Sequence, residues 1–170
     1  MSTTTEFVPL AVYLKSDEYE PAAEYVDGVI EERPMGEDSH AAMQLAICAW
    51  FLKHGNEWNT RVRPELRVQV AATRFRIPDV TVLDRSQPIE QVATRPPLAV
   101  FEVLSPEDTV QRLKSKLNDY QKMGIPEVWV VDPETREWSR FEDGQLVRRT
   151  EFQRGVMSFP LSAIEAEIDD

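Results

Sequence analysis

The chain has 170 residues, enough for one domain with a real core, and residues 1–170 are read as a single domain. Its net charge of −11 argues against a broad, sequence-independent grip on nucleic acid, and its only cysteine, Cys48, excludes an internal disulfide and a cysteine zinc site. No basic segment followed by an apolar run opens the chain, and no apolar stretch approaches bilayer length, so neither a signal peptide nor a membrane span is expected and the cytoplasm is the expected compartment.

Residues 1–6 are polar and read as a frayed end. Val8 to Leu14 suits a short helix, and Glu24 to Ile30 reads as extended chain around an Asp27-Gly28 tight turn. A helix capped by Asp38 or Ser39 is predicted to run to about Lys53, with Met43, Ile47, Trp50 and Phe51 on one face and His40 sharing it. Cys48, flanked by Ile47, Ala49 and Trp50, reads as a core thiol, and His54-Gly55-Asn56 supplies the stop, with His54 suited to the helix dipole.

Two strands are predicted next, Arg61 to Val70 and Phe75 to Leu83, followed by a polar, proline-bearing loop from Asp84 to Pro97 and a buried strand from Leu98 to Leu104. Ser105-Pro106-Glu107-Asp108 reads as a helix start, with Val110, Leu113, Leu117 and Tyr120 at helical spacing and Gly124 and Pro126 ending the helix. Val128 to Val131 is a further buried strand, Trp138 to Phe141 and Gln145 to Arg149 flank an Asp143-Gly144 hairpin signal, and the tail from Met157 to Ile168 suits a short helix. No repeat or low-complexity tract is visible. The order helix, strands, helix, strand is that of an α/β fold with a mixed sheet and helices on its faces.

The chemistry concentrates in two carboxylates inside apolar strands. Asp79 lies in Phe75-Arg76-Ile77-Pro78-Asp79-Val80-Thr81-Val82-Leu83, and Glu102 in Leu98-Ala99-Val100-Phe101-Glu102-Val103-Leu104. A lone carboxylate there loses hydration at a cost of several kcal/mol unless a cation or donors replace the water. A hard divalent ion such as Mg²⁺ takes oxygen ligands and needs only one or two protein carboxylates, so a metal site is one reading; a buried acid paired with an arginine is the other. Glu102 lies just before its strand ends, where open α/β sheets place ligands. Lys114 and Lys116, on the following helix, flank its apolar stripe on opposite sides; either could stabilise charge on a phosphate, and either could be a surface lysine. His40 points inward from the first turn of its helix, as a packing residue or as a ligand or base.

Arg61, Arg63, Arg67, Arg74 and Arg76 cluster in a stretch whose only acid is Glu65. On one continuous strand the arginines from 61 to 67 share a face, either a solvated face or a phosphate-facing edge. The chain has no phosphate-binding glycine loop, dinucleotide fingerprint, His-Glu-x-x-His zinc motif or Gly-x-Ser-x-Gly elbow.

Ala23-Glu24-Tyr25-Val26-Asp27-Gly28, Gly36-Glu37-Asp38-Ser39-His40 and Arg74-Phe75-Arg76-Ile77-Pro78-Asp79-Val80, continued by Phe101-Glu102-Val103-Leu104-Ser105-Pro106-Glu107-Asp108 and by Asp119-Tyr120 through Gly124-Ile125-Pro126-Glu127-Val128-Trp129-Val130-Val131-Asp132-Pro133, resemble in order and spacing the Uma2 family of the PD-(D/E)xK nuclease superfamily. The match runs from about Leu10 to Phe141. The resemblance implies a restriction-endonuclease-like core, a mixed central sheet flanked by helices, with a C-terminal β-hairpin extension. It implies that Asp79 and Glu102 are the two acids of the motif and metal ligands, that Glu24 is an additional acid from the N-terminal part of the core, and that His40 matches a histidine common in the family. The lysine position after Glu102 is Leu104, a departure from the superfamily pattern; in this family the lysine is on the next helix, four residues before a tyrosine, which corresponds to Lys116 and Tyr120, with Lys114 as the alternative.

The implied activity is Mg²⁺- or Mn²⁺-dependent hydrolysis of DNA phosphodiester bonds, with local rather than broad DNA contact, and a homodimer is expected for the fold class. Two alternatives remain open: a binding or assembly module that kept the fold and lost hydrolysis, and a purely structural ion pair in which Arg63 or Arg74 fills the metal position.

Overall fold

The computed structural model describes residues 5–15, 23–34 and 36–168. The frayed end expected at residues 1–6 falls mostly on residues 1–4, outside the described residues. In chain order the elements are α1 (Leu10–Lys15), β1 (Ala23–Val26), β2 (Val29–Glu32), α2 (Asp38–Lys53), α3 (Gly55–Trp58), β3 (Thr60–Pro64), β4 (Val68–Ala71), β5 (Arg74–Arg76) and β6 (Val80–Asp84). They continue with β7 (Ala99–Val103), α4 (Val110–Met123), β8 (Glu127–Asp132), β9 (Glu137–Glu142), β10 (Gln145–Arg148), β11 (Glu151–Arg154), β12 (Met157–Pro160) and α5 (Ser162–Glu165).

Asp27 and Gly28 both have positive φ, 48° and 91°, the geometry that lets a two-residue turn join twisted strands, and β1 and β2 pair antiparallel across it. At Gly28 a Cβ would also fall 2.9 Å from Phe7 Cδ1. Asp143 and Gly144 repeat the device between β9 and β10. At the end of α4, Gly124 takes φ 95° as the left-handed cap, and its N–H donates back to the last turn.

A six-stranded sheet of order β10-β9-β8-β7-β6-β3 forms the centre, antiparallel except for the parallel pair β7 and β8. Parallel neighbours need a crossover, and α4 provides it. All five residues of β7 are buried, as expected of a strand covered on both faces. On one face Met43, Ile47 and Phe51 of α2 pack on Val80, Val82, Phe101, Val103, Trp129 and Val131, joined by Ile164 of α5. On the other, Leu117 and Tyr120 of α4 pack on Val100, Val128 and Val130 and against Val68 and Val70 of β4. Each large apolar side chain so buried contributes about 1.5–3 kcal/mol. A second, four-stranded antiparallel sheet, β2-β1-β5-β4, carries a smaller cluster of Tyr13, Tyr25 and Phe75.

Several sequence expectations are corrected. The strand expected from Arg61 to Val70 is two strands in different sheets, because Glu65 takes φ 52° and breaks the extended chain. Its arginines therefore do not share one face. The strand expected from Phe75 to Leu83 also divides, into β5 and β6, because Pro78 has no N–H to give a ladder. The helix after Glu102 starts at Val110 rather than in Ser105-Pro106-Glu107-Asp108; Thr109 Oγ1 accepts from Arg112 N at 3.2 Å, while Ser105 N donates to Asp108 Oδ2 at 2.8 Å and closes a separate turn. The N-cap of α2 is Glu37, without a side-chain bond, and not Asp38 or Ser39. The tail folds mainly as a second hairpin, β11–β12, before the one-turn α5.

Candidate active site

Pro78 creates the site by ending one sheet and starting another. β5 pairs with β1, β6 pairs with β7, and Ile77, Pro78 and Asp79 cross between them. Val80 is opposite Phe101, so the next step of the same register sets Asp79 opposite Glu102, on the same side of the sheet. Val103 N donates to Asp79 Oδ2 at 2.7 Å. Glu102 shares the face of Val100, towards α4, where the Tyr120 hydroxyl donates to Glu102 Oε1 at 2.6 Å. Lys116 lies one turn before Tyr120, on the same helical face, and its Nζ is 3.0 Å from Glu24 Oε1. Glu24 reaches in from β1; its other oxygen accepts from Ile77 N at 3.0 Å. Four sequence-distant elements thus converge, and relative exposures of 0% for Glu24, 2% for Asp79 and 5% for both Glu102 and Lys116 show that the charges are deeply buried.

His40, from the first turn of α2, approaches the cluster with Nε2 3.3 Å from Asp79 Oδ1. Gln44, one turn later, donates to the Asp79 carbonyl at 2.9 Å. The residue that sequence reasoning missed is Arg33, just after β2. Its Nη2 is 2.5 Å from Asp79 Oδ1 and its Nη1 3.4 Å from Glu65. The only sequence signal was its place beside Glu31, Glu32 and Pro34, which reads as ordinary loop. Neither arginine considered as a filler of the metal position bonds to Asp79 or Glu102: Arg74 pairs with Asp27 and Asp119, and Arg63 donates to the Val62 carbonyl. Lys114 is exposed, so Lys116 is the lysine within the cluster.

Burial pushes the Glu102 carboxyl up to about 8; Lys116 opposes that rise, and Asp79 and Glu24 add to it. Asp79 is equally buried, yet its hydrogen bond with His40, the Arg33 charge and the Val103 N–H hold it below the usual carboxylate range. Burial would lower Lys116, but Glu102 and Glu24 outweigh it and the ammonium titrates above its ordinary value. The hydrogen bond to Asp79 raises His40 against the desolvation that would lower it. The surroundings thus push the two facing acids apart, Asp79 towards its ionised form and Glu102 towards its protonated one.

An all-carboxylate donor set suits Mg²⁺ or Mn²⁺. Glu24 Oε1 is buried and faces the Lys116 ammonium at 3.0 Å, so a cation bound there would share that oxygen with the lysine. Against this, Arg33 holds Asp79 Oδ1, and among the described residues no three His, Cys, Asp or Glu side chains stand ready to share one ion. The donor chemistry fits a divalent metal, with Arg33 as the competing cation. Arg33 also borders an open cavity of about 860 Å³ lined by Glu31, Glu32, Pro34, Glu107 and Arg112.

A second buried network backs the cluster. Arg76, fully buried, donates to Asp119 at 2.7 Å, Glu31 at 2.9 Å and Ser115 at 2.9 Å, fixing β5 to α4 and β2. The Cys48 thiol is pushed up to about 11 by burial, in keeping with an inert packing residue.

The model of the Uma2 family, described as "Putative restriction endonuclease", matches residues 5–168, and the chain belongs to that family. Among solved structures, a crystal structure described as a putative nuclease belonging to DUF820, from Anabaena variabilis ATCC 29413, superposes with a TM-score of 0.77 at 20% identity, covering 98% of this chain and 99% of that one. That likeness establishes the fold. A DrdV–DNA complex gives a TM-score of 0.41 at 19% identity over 75% of this chain and 10% of that one, a likeness too partial to argue from. No curated protein matches the chain.

Proposed function

We propose that this Uma2 family member is a metal-dependent endonuclease that hydrolyses DNA phosphodiester bonds at Asp79, Glu102, Glu24 and Lys116. The observation that carries the proposal is the burial of three carboxylates and one lysine, brought from β1, the start of β6, β7 and α4 into a single cluster. Such an arrangement is expensive to assemble for stability alone. Asp79 and Glu102, with Glu24 beside them, would hold Mg²⁺ or Mn²⁺. Bound there, the ion supplies charge stabilisation to phosphoryl oxygens and lowers the pKa of a water.

The protein's own groups have distinct tasks in this reading. Tyr120 fixes Glu102 through its 2.6 Å bond, and Val103 N and His40 orient Asp79. Glu24 holds the Lys116 ammonium where it can stabilise charge developing on the scissile phosphate. Arg33, at the edge of the open cavity, exchanges Asp79 for a substrate phosphate, which matches its fork of donors as well as a carboxylate does. Purified protein should nick plasmid DNA with Mg²⁺ or Mn²⁺ and not with EDTA, and Asp79→Ala should abolish nicking. Metal-dependent cleavage that survives in Asp79→Ala would refute the assignment.

The Arg33–Asp79 pair favours a second reading, a binding or assembly module without hydrolysis, in which the arginine permanently replaces the metal. Calorimetry separates the two, since a module of that kind takes up no Mn²⁺ at Asp79. The proposal also takes the chain as one cytoplasmic domain acting as a homodimer. Support for the dimer comes from Leu45 and Leu52, 68% and 72% exposed on the outer side of α2, and sedimentation would test it.

A further inference from the structure

The arginine-rich run divides sharply once folded. Arg74 and Arg76 are consumed by Asp27, Glu31 and Asp119. Arg67 lies over the Tyr13 ring at 4.7 Å. Arg61 and Arg63 remain on β3, the edge of the central sheet, and the loop after β6 brings Arg85 and Arg95 to them. All four guanidinium groups are held by neutral oxygens. Arg61 Nη2 donates to the carbonyls of Asp84, Arg85 and Gln87, and its buried Nε has no partner. Arg63 donates to the Val62 carbonyl, Arg85 to the Thr60 carbonyl and Asn56, and Arg95 to Gln87. The two acids within the patch take their hydrogen bonds from hydroxyls and backbone: Asp84 Oδ1 accepts from Ser86 at 2.9 and 2.7 Å and Glu90 accepts from Thr94, while the Arg61 and Arg95 charges act on them from beyond ion-pair distance. Among the described residues none of the four arginines forms an ion pair with a carboxylate.

In a chain of net charge −11, four arginines gathered at one sheet edge outnumber the acids beside them, Asp84 near Arg61 and Glu90 near Arg95, and form a local excess of positive charge. Their position relative to the acid cluster follows from register. Glu65 N donates to the Asp79 carbonyl, and Arg63 and Arg61 pair with Thr81 and Leu83. Arg63 is therefore about 7 Å and Arg61 about 13 Å along the strand from the level of Asp79. Thr81 pairs in turn with Val100, so both arginines emerge on the sheet face that carries Glu102.

We propose that Arg61, Arg63, Arg85 and Arg95 form a phosphate-contacting strip that holds the backbone of duplex DNA alongside the acid cluster. This deepens the nuclease reading by giving its substrate a seat, and it rests on that reading for the choice of DNA. A basic strip reads charge spacing and not base identity, so binding is to be salt-sensitive and sequence-tolerant. Arg61, tied to three carbonyls, positions the loop as well as the ligand. The test therefore uses the exposed pair Arg63 and Arg95.

Fluorescence anisotropy of a labelled 20-base-pair duplex, in EDTA so that no cleavage intervenes, should show binding by the wild type. Arg63→Ala with Arg95→Ala should weaken it at least tenfold and flatten the slope of log affinity against log salt by about 1.8, or about 0.9 per lost phosphate contact. Arg154→Ala, an exposed arginine on β11, controls for net charge and should change affinity less than twofold. No wild-type binding, equal losses in the double variant and the control, or displacement of the duplex by poly-glutamate at equal charge would each overturn the proposal. A wild type that binds through this strip but never cleaves sinks the nuclease reading alone. A wild type that cleaves while the double variant binds normally sinks the strip alone.

Discussion

Removing the carboxylate of Glu102 should stabilise the metal-free protein at alkaline pH. Burial pushes the Glu102 carboxyl up to about 8 in the fold, against an ordinary value of 4.5, outweighing the nearby Lys116 charge. Between those two values the folded protein keeps a proton that the unfolded chain has released, so its stability is complete below pH 4.5 and falls as pH rises to about 8. At about 1.4 kcal/mol per pH unit the gap sets a ceiling of about 5 kcal/mol. Glu102→Gln is neutral throughout, fills the same volume, and its amide oxygen can still accept from the Tyr120 hydroxyl. Urea unfolding in EDTA at pH 5, 7 and 9 should give closely similar stabilities at pH 5 and a variant more stable by ~2–5 kcal/mol at pH 9. His40 and the other acids are present in both proteins, so the difference reports position 102 together with its coupling to Asp79 and Lys116. Added Mn²⁺ should restore the wild type at pH 9 and leave the variant unchanged. Parallel pH profiles for the two proteins would refute the reasoning, since Glu102 would then be ionised in the fold at no cost.

Lys116→Met should destabilise by ~3–5 kcal/mol in urea unfolding, because it strands the buried Glu24 carboxylate; adding Glu24→Gln should recover most of the loss, as removal of a whole buried pair does. Arg33→Gln removes the competing guanidinium from Asp79 Oδ1, leaving His40 beside it, and should tighten Mn²⁺ binding about tenfold by calorimetry, or ~1.4 kcal/mol, whereas no Mn²⁺ uptake by either protein supports the inactive module. Phe152→Ala removes a fully buried ring stacked on Phe159 at 5.1 Å and on Trp129 at 5.7 Å, and should cost ~3–5 kcal/mol, with a fall in Tm of about 10 °C. A loss below ~1 kcal/mol would mean that the β11–β12 hairpin is not part of the core.

What the sequence reveals depends on whether the physical cause is local. The hairpins at Asp27-Gly28 and Asp143-Gly144 are legible because positive φ is written in the residues themselves. Asp79 and Glu102 stand out because ionised groups inside β-branched runs contradict their surroundings. Arg33 carries no such contradiction, and its role exists only after β2, β6 and α2 meet, as the contacts with Asp79 and the approach of His40 show. The break at Glu65 is hidden because a left-handed glutamate has no composition signal; what stabilises it is its N–H bond to the Asp79 carbonyl across the strand pair. Thr109 overrides Ser105 as the cap because Asp108 is within reach of Ser105 N, and a closed turn there outcompetes an earlier helix start. The β11–β12 hairpin has only Phe152, Met157 and Phe159 as inward apolar residues, too few to mark a strand pair in advance.

The candidate site lies where the ladder fails, and the same groups repair the backbone and carry the charge. A strand running unbroken through Pro78 would make Asp79 one more alternating residue. The crossing from one sheet to the other instead leaves Ile77 N without a ladder partner and gives the Asp79 carbonyl only the last, β3-side bond of its ladder. Glu24 Oε2 takes the first, and Gln44 with Glu65 N takes the second. Glu24 is thereby fixed by the break, and its remaining oxygen is aimed at Lys116. Three carboxylates then face the permanent cations Arg33 and Lys116, a shortfall of one positive charge; burial favours a proton on Glu102, and the Asp79 hydrogen bond draws His40 towards its charged form. In the proposed metal-bound form a divalent cation would supply positive charge in place of that proton and of Arg33. Glu102 thus holds its proton more tightly than a carboxyl does in water while Asp79 holds its proton less tightly, and the Glu102 proton is the one a cation would displace on binding.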